Sequence, residues 1–202
     1  LKLNSKIGII ILAAGSSNRL GYPKQLVEFN GDSLLQHIID VAESLEYDTN
    51  ILVLGAKAEE IEEEIDRKNF EVVFNENWEE GMGTSIRKGI NESLKPGNEL
   101  EHIIILLADQ PYVTKEKIQE LTRVQLVTNK QATFSEYAGD VGVPAIFSRE
   151  IFSDLKLLKG DQGAKKLIYN SSFHYGTVKF EDGNFDVDTI ADVELLKQME
   201  RK

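Results

Sequence analysis

One stretch of small residues runs onto two cations: Ala13-Ala14-Gly15-Ser16-Ser17-Asn18-Arg19-Leu20-Gly21-Tyr22-Pro23-Lys24. Small side chains over positions 13 to 17 let backbone amides approach an anion closely, and Arg19 and Lys24 add charge-assisted contacts. Phosphate is the guest this composition suits; the plainer alternative is a tight turn with no ligand. Two familiar phosphate loops are excluded by spacing. There is no G-x-G-x-x-G, and Gly15 and Gly21 have five residues between them, with Tyr22-Pro23 before the lysine rather than a glycine-lysine-serine or threonine ending.

Two further acidic points complete the chemistry. Asp109 follows the apolar run Ile103-Ile104-Ile105-Leu106-Leu107-Ala108. Desolvation penalises a carboxylate there unless a cation or donors accompany it. Magnesium beside substrate phosphates would meet that need, and a cap on the following turn is the alternative. The segment Phe185-Asp186-Val187-Asp188-Thr189 reads as a short strand. Period-two geometry then puts Asp186 and Asp188 on one side, with Asp188 projecting beyond the strand end. Asp109 and Asp188 together would clamp one Mg2+, and Thr189 would cap the helix beginning near Ala191.

These residues need a scaffold that brings strand ends to one rim. Ile7 to Leu12 is an apolar, β-branched run without polar alternation, which marks a strand covered on both faces. A helical stripe of Leu34, Leu35, Ile38, Ile39, Ala42 and Leu45 follows, then a strand over 51–54 and an acidic helix with Ile61 and Ile65 on one face. The alternation continues: strand 71–74, helix 84–94, buried strand 102–108, then a helix over 115–127 capped by Thr114. Later strands are expected at 131–135, 144–147 and 174–179, before a closing helix. The expected fold is α/β, a Rossmann-like three-layer arrangement of a mostly parallel sheet with helices on both faces. In such sheets ligands bind outside the carboxyl ends of the strands.

Composition narrows the function classes. The chain has 202 residues, 41% of them apolar, enough for one core without metals or disulfides, and residues 1–202 are expected to form one domain. No cysteine is present, which removes thiolate nucleophiles and cysteine zinc sites and suits a cytoplasmic setting. Against 34 acidic residues stand 23 basic ones, a net charge of -11, so a nucleic-acid partner is not expected. No apolar stretch approaches the roughly 20 residues of a membrane span. His37, His102 and His174 lack zinc-ligand spacing and read as structural or surface residues. Lys165 and Lys166 follow Gly160-Asp161-Gln162-Gly163 near a helix start. A cation there mismatches the dipole unless an anion is near, so contact with an acceptor phosphate is one reading and surface charge the other.

At this point the motifs carry a resemblance. Leu12-Ala-Ala-Gly-Ser-Ser-Asn-Arg-Leu-Gly-Tyr-Pro-Lys-Gln-Leu26 resembles the signature of the nucleotidyltransferases that include the molybdenum-cofactor cytidylyl- and guanylyltransferases. The likeness continues in order through Trp78 to Ile86, Ala108 to Pro111, Gly142 to Pro144, Lys159 to Ala164 and Asp186 to Thr189. Pro23-Lys24-Gln25-Leu26 and Glu80-Gly81-Met82-Gly83-Thr84-Ser85 are similar to the cytidylyl branch. The chain departs from that branch at Val143, where glycine-histidine-proline is common; valine offers the acceptor no side-chain hydrogen bond.

What the resemblance implies is transfer of CMP from CTP to the terminal phosphate of molybdopterin, yielding the cofactor of xanthine-dehydrogenase-like hydroxylases. A transient contact with the recipient molybdoenzyme or its chaperone would follow. In this scheme Leu12, Ala13, Ala14, Gly15, Ser16, Ser17 and Lys24 bind the nucleotide, and Arg19 and Lys24 serve catalysis. Gly81, Gly83 and Ser85 form the base and ribose wall, Asp109 and Asp188 hold Mg2+, and Asp186 and Lys165 meet the acceptor. Two alternatives stand beside it. One is a nucleotidyltransferase for a sugar phosphate or another small phosphorylated acceptor; the other is a non-catalytic chaperone that holds the molybdenum cofactor.

Overall fold

The computed structural model describes residues 5–200. Its core begins with β1 (Ile7–Ala13), all seven residues of which are buried. The strands β2 (Glu28–Phe29) and β3 (Asp32–Ser33) form a separate small ladder before α1 (Leu34–Glu43). Then come β4 (Thr49–Leu54), α2 (Ala58–Glu63), β5 (Glu71–Phe74), α3 (Met82–Ser93), β6 (His102–Leu107) and α4 (Lys115–Thr128). The chain closes through β7 (Ala132–Tyr137), β8 (Asp140–Ser148), α5 (Phe152–Lys156), β9 (Tyr175–Lys179) and α6 (Ile190–Glu200).

The sheet order is β5-β4-β1-β6-β8-β7-β9. Strands β5, β4, β1 and β6 are parallel, so their carboxyl ends share one rim. The period of two in β1 divides the core: Ile9 and Ile11 join α1 and α4, while Ile10 and Leu12 join α3 and α5 on the opposite face. This is the expected fold, helices on both faces of a mostly parallel sheet. Ser33 and Thr114 cap α1 and α4 by accepting from the amides of Gln36 and Lys117 at 3.1 and 3.3 Å. Among the described residues no helix is long and apolar enough to cross a membrane.

Two elements differ from the sequence expectation. The strands expected at 131–135 and 144–147 are arms of one longer hairpin, 132–137 and 140–148. Its two-residue turn puts Ala138 and Gly139 at φ of 51° and 76°, the left-handed pair that a tight hairpin needs. Alanine at the first turn position hides that turn from composition. Residues 185–188 form no strand. Val187 instead buries itself among Leu20, Val27, Phe29, Leu34 and the α6 residues Val193 and Leu196, and its amide donates to the Asp109 carbonyl at 3.1 Å. Tertiary anchoring rather than a ladder thus fixes the two aspartates beside it.

Gly81 and Gly83 explain how the segment after α5 is held. Gly81 has φ of 106°, and a Cβ there would lie 2.3 Å from the Gly160 carbonyl carbon. At Gly83 a Cβ would lie 2.8 Å from Leu158 backbone, and the Gly83 amide donates to Gly160 O at 2.9 Å. Gly83 therefore serves close packing rather than the nucleotide wall expected of it. Gly81→Ala should cost on the order of 2 kcal/mol through combined strain and clash. Urea denaturation of the two proteins checks this; coincident midpoints would contradict it.

Candidate active site

The loop after β1 is braced from within. Gln25 is buried and its Nε2 donates to the carbonyls of Ala13 and Gly15 at 2.7 and 3.2 Å. Ser17, at φ of 55°, accepts from the Lys24 amide on Oγ at 3.0 Å. These bonds turn residues 13 to 16 onto the strand rim and carry Lys24 back over it. Ser17 accordingly braces the loop and does not line the cleft, unlike Leu12, Ala13, Ala14, Gly15 and Ser16.

The cleft they open is about 520 Å³ in volume. It extends from Lys24 and Asp109 to Ser85, Gly81, Trp78 and Asp161. Trp78 is half-buried on its wall. Gly83, Arg19, Asp186, Asp188 and Lys165 are not among the lining residues.

Charge concentrates at the β1–β6 end. Lys24 Nζ pairs with Asp109 Oδ2 and donates to Asp188 Oδ1 at 2.7 Å, and Arg19 Nη2 donates to Asp188 Oδ2 at 2.6 Å. The cations and carboxylates, assigned separate partners from sequence, thus meet as one network. Burial pushes the Lys24 ammonium down in pKa, but Asp109 and Asp188 outweigh it and the net direction is upward. At Asp188 burial favours the neutral acid, yet Lys24 and Arg19 hold it below the usual carboxylate range. The backbone around it is pinned by Asp192, whose carboxylate accepts from the amides of Asp188 and Thr189 at 3.1 and 2.7 Å. Thr189 Oγ1 accepts in turn from the Asp192 amide at 3.3 Å, so the expected cap forms as a reciprocal box.

Asp186 behaves differently from its neighbour. Burial first, then the negative charge of Asp109, pushes its carboxyl up to about 6. The folded chain binds this proton more tightly than the unfolded one, whose carboxyl titrates near 4. Its stability contribution is therefore full below about pH 4 and is lost as pH rises through about 6. In metal-free buffer Asp186→Asn should match the parent near pH 4 and exceed it at pH 7.5 by under about 1 kcal/mol, because Asp186 is exposed and water screens most of the shift. Urea midpoints at the two pH values decide it, and an equal difference at both would contradict the assignment.

The residues present suit a divalent cation. Asp109 is 8% exposed, and among the described residues its Oδ1 is buried without a hydrogen-bond partner. Asp188 shares the Lys24 ammonium with it, so the two carboxylates converge. Among the described residues no group of three or more His, Cys, Asp and Glu forms a metal cluster. Two carboxylates completed by substrate phosphates is the pattern by which magnesium is commonly held. Lys165 lies apart, paired with Asp140 at the start of β8.

The pattern of the MobA-like NTP transferase domain matches residues 9–175. The chain belongs to this family. Among its relatives, the Bifunctional protein GlmU of Buchnera aphidicola is 30% identical over 159 residues, which is 78% of this chain and 32% of that protein. The chain therefore spans about a third of the GlmU length. The Purine catabolism protein PucB of Bacillus subtilis is 26% identical over 94% of this chain and 95% of that one. The crystal structure of Rv0371c from Mycobacterium tuberculosis superposes with a TM-score of 0.81 at 30% identity, covering 96% of this chain and 98% of that one. A second structure of Rv0371C, a complex with manganese, gives 0.80 at 28% identity and covers 96% and 99%. The MobA-like fold is that of the catalytic nucleotidyltransferases.

Several residues of this MobA-like site escape a reading by residue type. Gln25 and Asp161 lie inside the motifs at 12–26 and 159–164, and Glu79 and Met82, inside the motif at 78–86, also line the cleft. Asn75, 4% exposed, follows β5 and bonds to Ser85. No signal in its own sequence neighbourhood marks it.

Proposed function

We propose that residues 1–202 work as one nucleotidyltransferase unit that moves CMP from CTP to the terminal phosphate of molybdopterin and releases pyrophosphate. The observation that carries the reading is the meeting of Lys24, Asp109, Asp188 and Arg19 at one end of a cleft roofed by the small-residue loop. The acceptor phosphate oxygen forms the new bond to the α-phosphorus, and the bond to the bridging oxygen of pyrophosphate breaks. No covalent enzyme intermediate is needed, so the protein's task is positioning and charge stabilisation. Amides of residues 13 to 16 hold the triphosphate, Lys24 neutralises it, and Arg19 tethers Asp188 at the rim. A divalent cation held by Asp109 and Asp188, magnesium in this reading, would neutralise charge between the phosphates.

Val143 gives the acceptor no side-chain hydrogen bond, and its carbonyl already accepts from Gln110 Nε2 and Tyr137 Oη at 3.2 Å each. Acceptor contacts therefore fall to other groups, Asp186 among them. The likeness to a purine catabolism protein over nearly the full length supports a product destined for a xanthine-dehydrogenase-like hydroxylase. That recipient or its chaperone is the expected transient protein partner.

A panel of CTP, GTP, ATP and UTP against molybdopterin and sugar phosphates, scored by Mg2+-dependent pyrophosphate release, tests the proposal. CTP with molybdopterin should lead each competitor by roughly tenfold to a hundredfold. Faster turnover of a sugar phosphate would shift the acceptor class, and binding of molybdopterin without pyrophosphate release would favour the non-catalytic chaperone.

A further inference from the structure

Ser85 lies in the first turns of α3 and lines the cleft away from the charged end, on the side of the parallel sheet that β5 occupies. A serine hydroxyl can donate once and accept twice, so its role toward a ligand depends on where its proton is directed. Here the neighbours determine that. The backbone amide of Asn77 donates to Asn75 Oδ1 at 3.1 Å, and a backbone N–H has no other way to bond. The carboxamide of Asn75 is thereby oriented, with its amino group toward α3.

That amino group donates to Thr84 Oγ1 at 2.8 Å and to Ser85 Oγ at 2.9 Å. Thr84 uses its own proton on the carbonyls of Gly81 and Asn77, at 2.8 and 2.9 Å. Ser85 Oγ is therefore an acceptor on its inner side. Its proton finds no acceptor among the described residues and is available to the cleft.

We propose that Asn75 is a positioning residue that holds Ser85 as a hydrogen-bond donor into the cleft, where it meets an acceptor atom on the nucleoside part of the bound nucleotide. This rests on the nucleotidyl-transfer reading, because it needs the triphosphate at the Lys24 end and the nucleoside at the Ser85 end. Asn75 touches no substrate; it acts through the polarity it imposes on Ser85. An aspartate in its place would keep the shape and the bond from Asn77 but present a second acceptor to α3. The Ser85 proton would then turn inward, and the cleft would lose its donor.

The test is calorimetric binding of Mg–CTP and of inorganic tripolyphosphate to the parent, Ser85→Ala, Asn75→Asp and the double variant. Each single change should weaken CTP about tenfold, a hydrogen bond's worth. The double variant should be no weaker than Ser85→Ala, and tripolyphosphate should bind all four alike. Losses that multiply in the double variant, or an equal loss of tripolyphosphate, would overturn the role of Asn75. If the parent binds tripolyphosphate as tightly as CTP, the nucleotide reading itself has failed, which is a separate outcome. Should Asn75→Asp not fold, Asn75→Ala, which removes the donor that holds the Ser85 proton toward the cleft, carries the same comparison with a smaller expected loss.

Discussion

Lys24→Ala is expected to lower turnover by about 10² to 10³ at subsaturating CTP, the scale of removing one preorganised charge from a phosphoryl-transfer site. Lys24 has 19% of its side chain exposed and lies between two carboxylates. Its charge acts where water screens poorly, and its loss also leaves Asp109 facing Asp188 without the shared cation. Arg19→Ala should cost less than tenfold, because its side chain is 70% exposed and meets one partner at the rim. Lys24→Arg should restore little, since a planar fork does not replace a point charge between converging carboxylates. Initial rates of pyrophosphate release, with circular dichroism to verify folding, measure all three. Near-normal turnover in Lys24→Ala would remove Lys24 from the reaction, and equal losses in the two alanine variants would show that burial does not set their ranking.

The parallel half of the sheet was legible because its strands carry their own evidence. Ile7 to Leu12 and His102 to Leu107 are apolar without alternation, and the loops after them hold Lys24 and Asp109 at one rim as strand polarity requires. The charged end of the site followed from those two strands and the C-terminal aspartates. What failed was local inference where long-range packing decides. The segment at Asp186 to Asp188 looks like alternation, yet Val187 is inserted into the cluster beneath α6 and no ladder forms. Gly83 looks like a ligand-facing small residue, but its close neighbour is the Leu158 backbone, 75 positions later in the chain. Ser17 and Gln25 likewise act by bracing a loop, which depends on contacts that sequence spacing does not reveal.

The second large effect concerns the metal. Asp109→Asn keeps side-chain volume but loses the anionic oxygen, and Asp109 Oδ1 is one of the buried atoms without a hydrogen-bond partner among the described residues. Asp188→Asn removes charge from the convergent carboxylate, whose side chain is 33% exposed. Each should raise the Mg2+ concentration for half-maximal activity by roughly tenfold or more and depress saturated turnover by about 10². Asp109→Asn should show the larger effect, being the more deeply buried of the two. Asp186→Asn should be milder, because Lys24 is bonded to Asp109 and Asp188 and not to Asp186. The Asp109→Asn/Asp188→Asn double variant should fall well short of the product of the single losses, since one missing ligand already disrupts a shared ion. Lys24→Ala/Asp109→Asn should be non-multiplicative for the same reason, as Lys24 and Asp109 belong to one network. Mg2+ titrations of activity, paired with direct Mn2+ binding to each protein, give the result. Unchanged metal dependence in both single variants would reject the shared site, and a larger loss at Asp186 would move the second ligand two residues back along the segment that Val187 anchors.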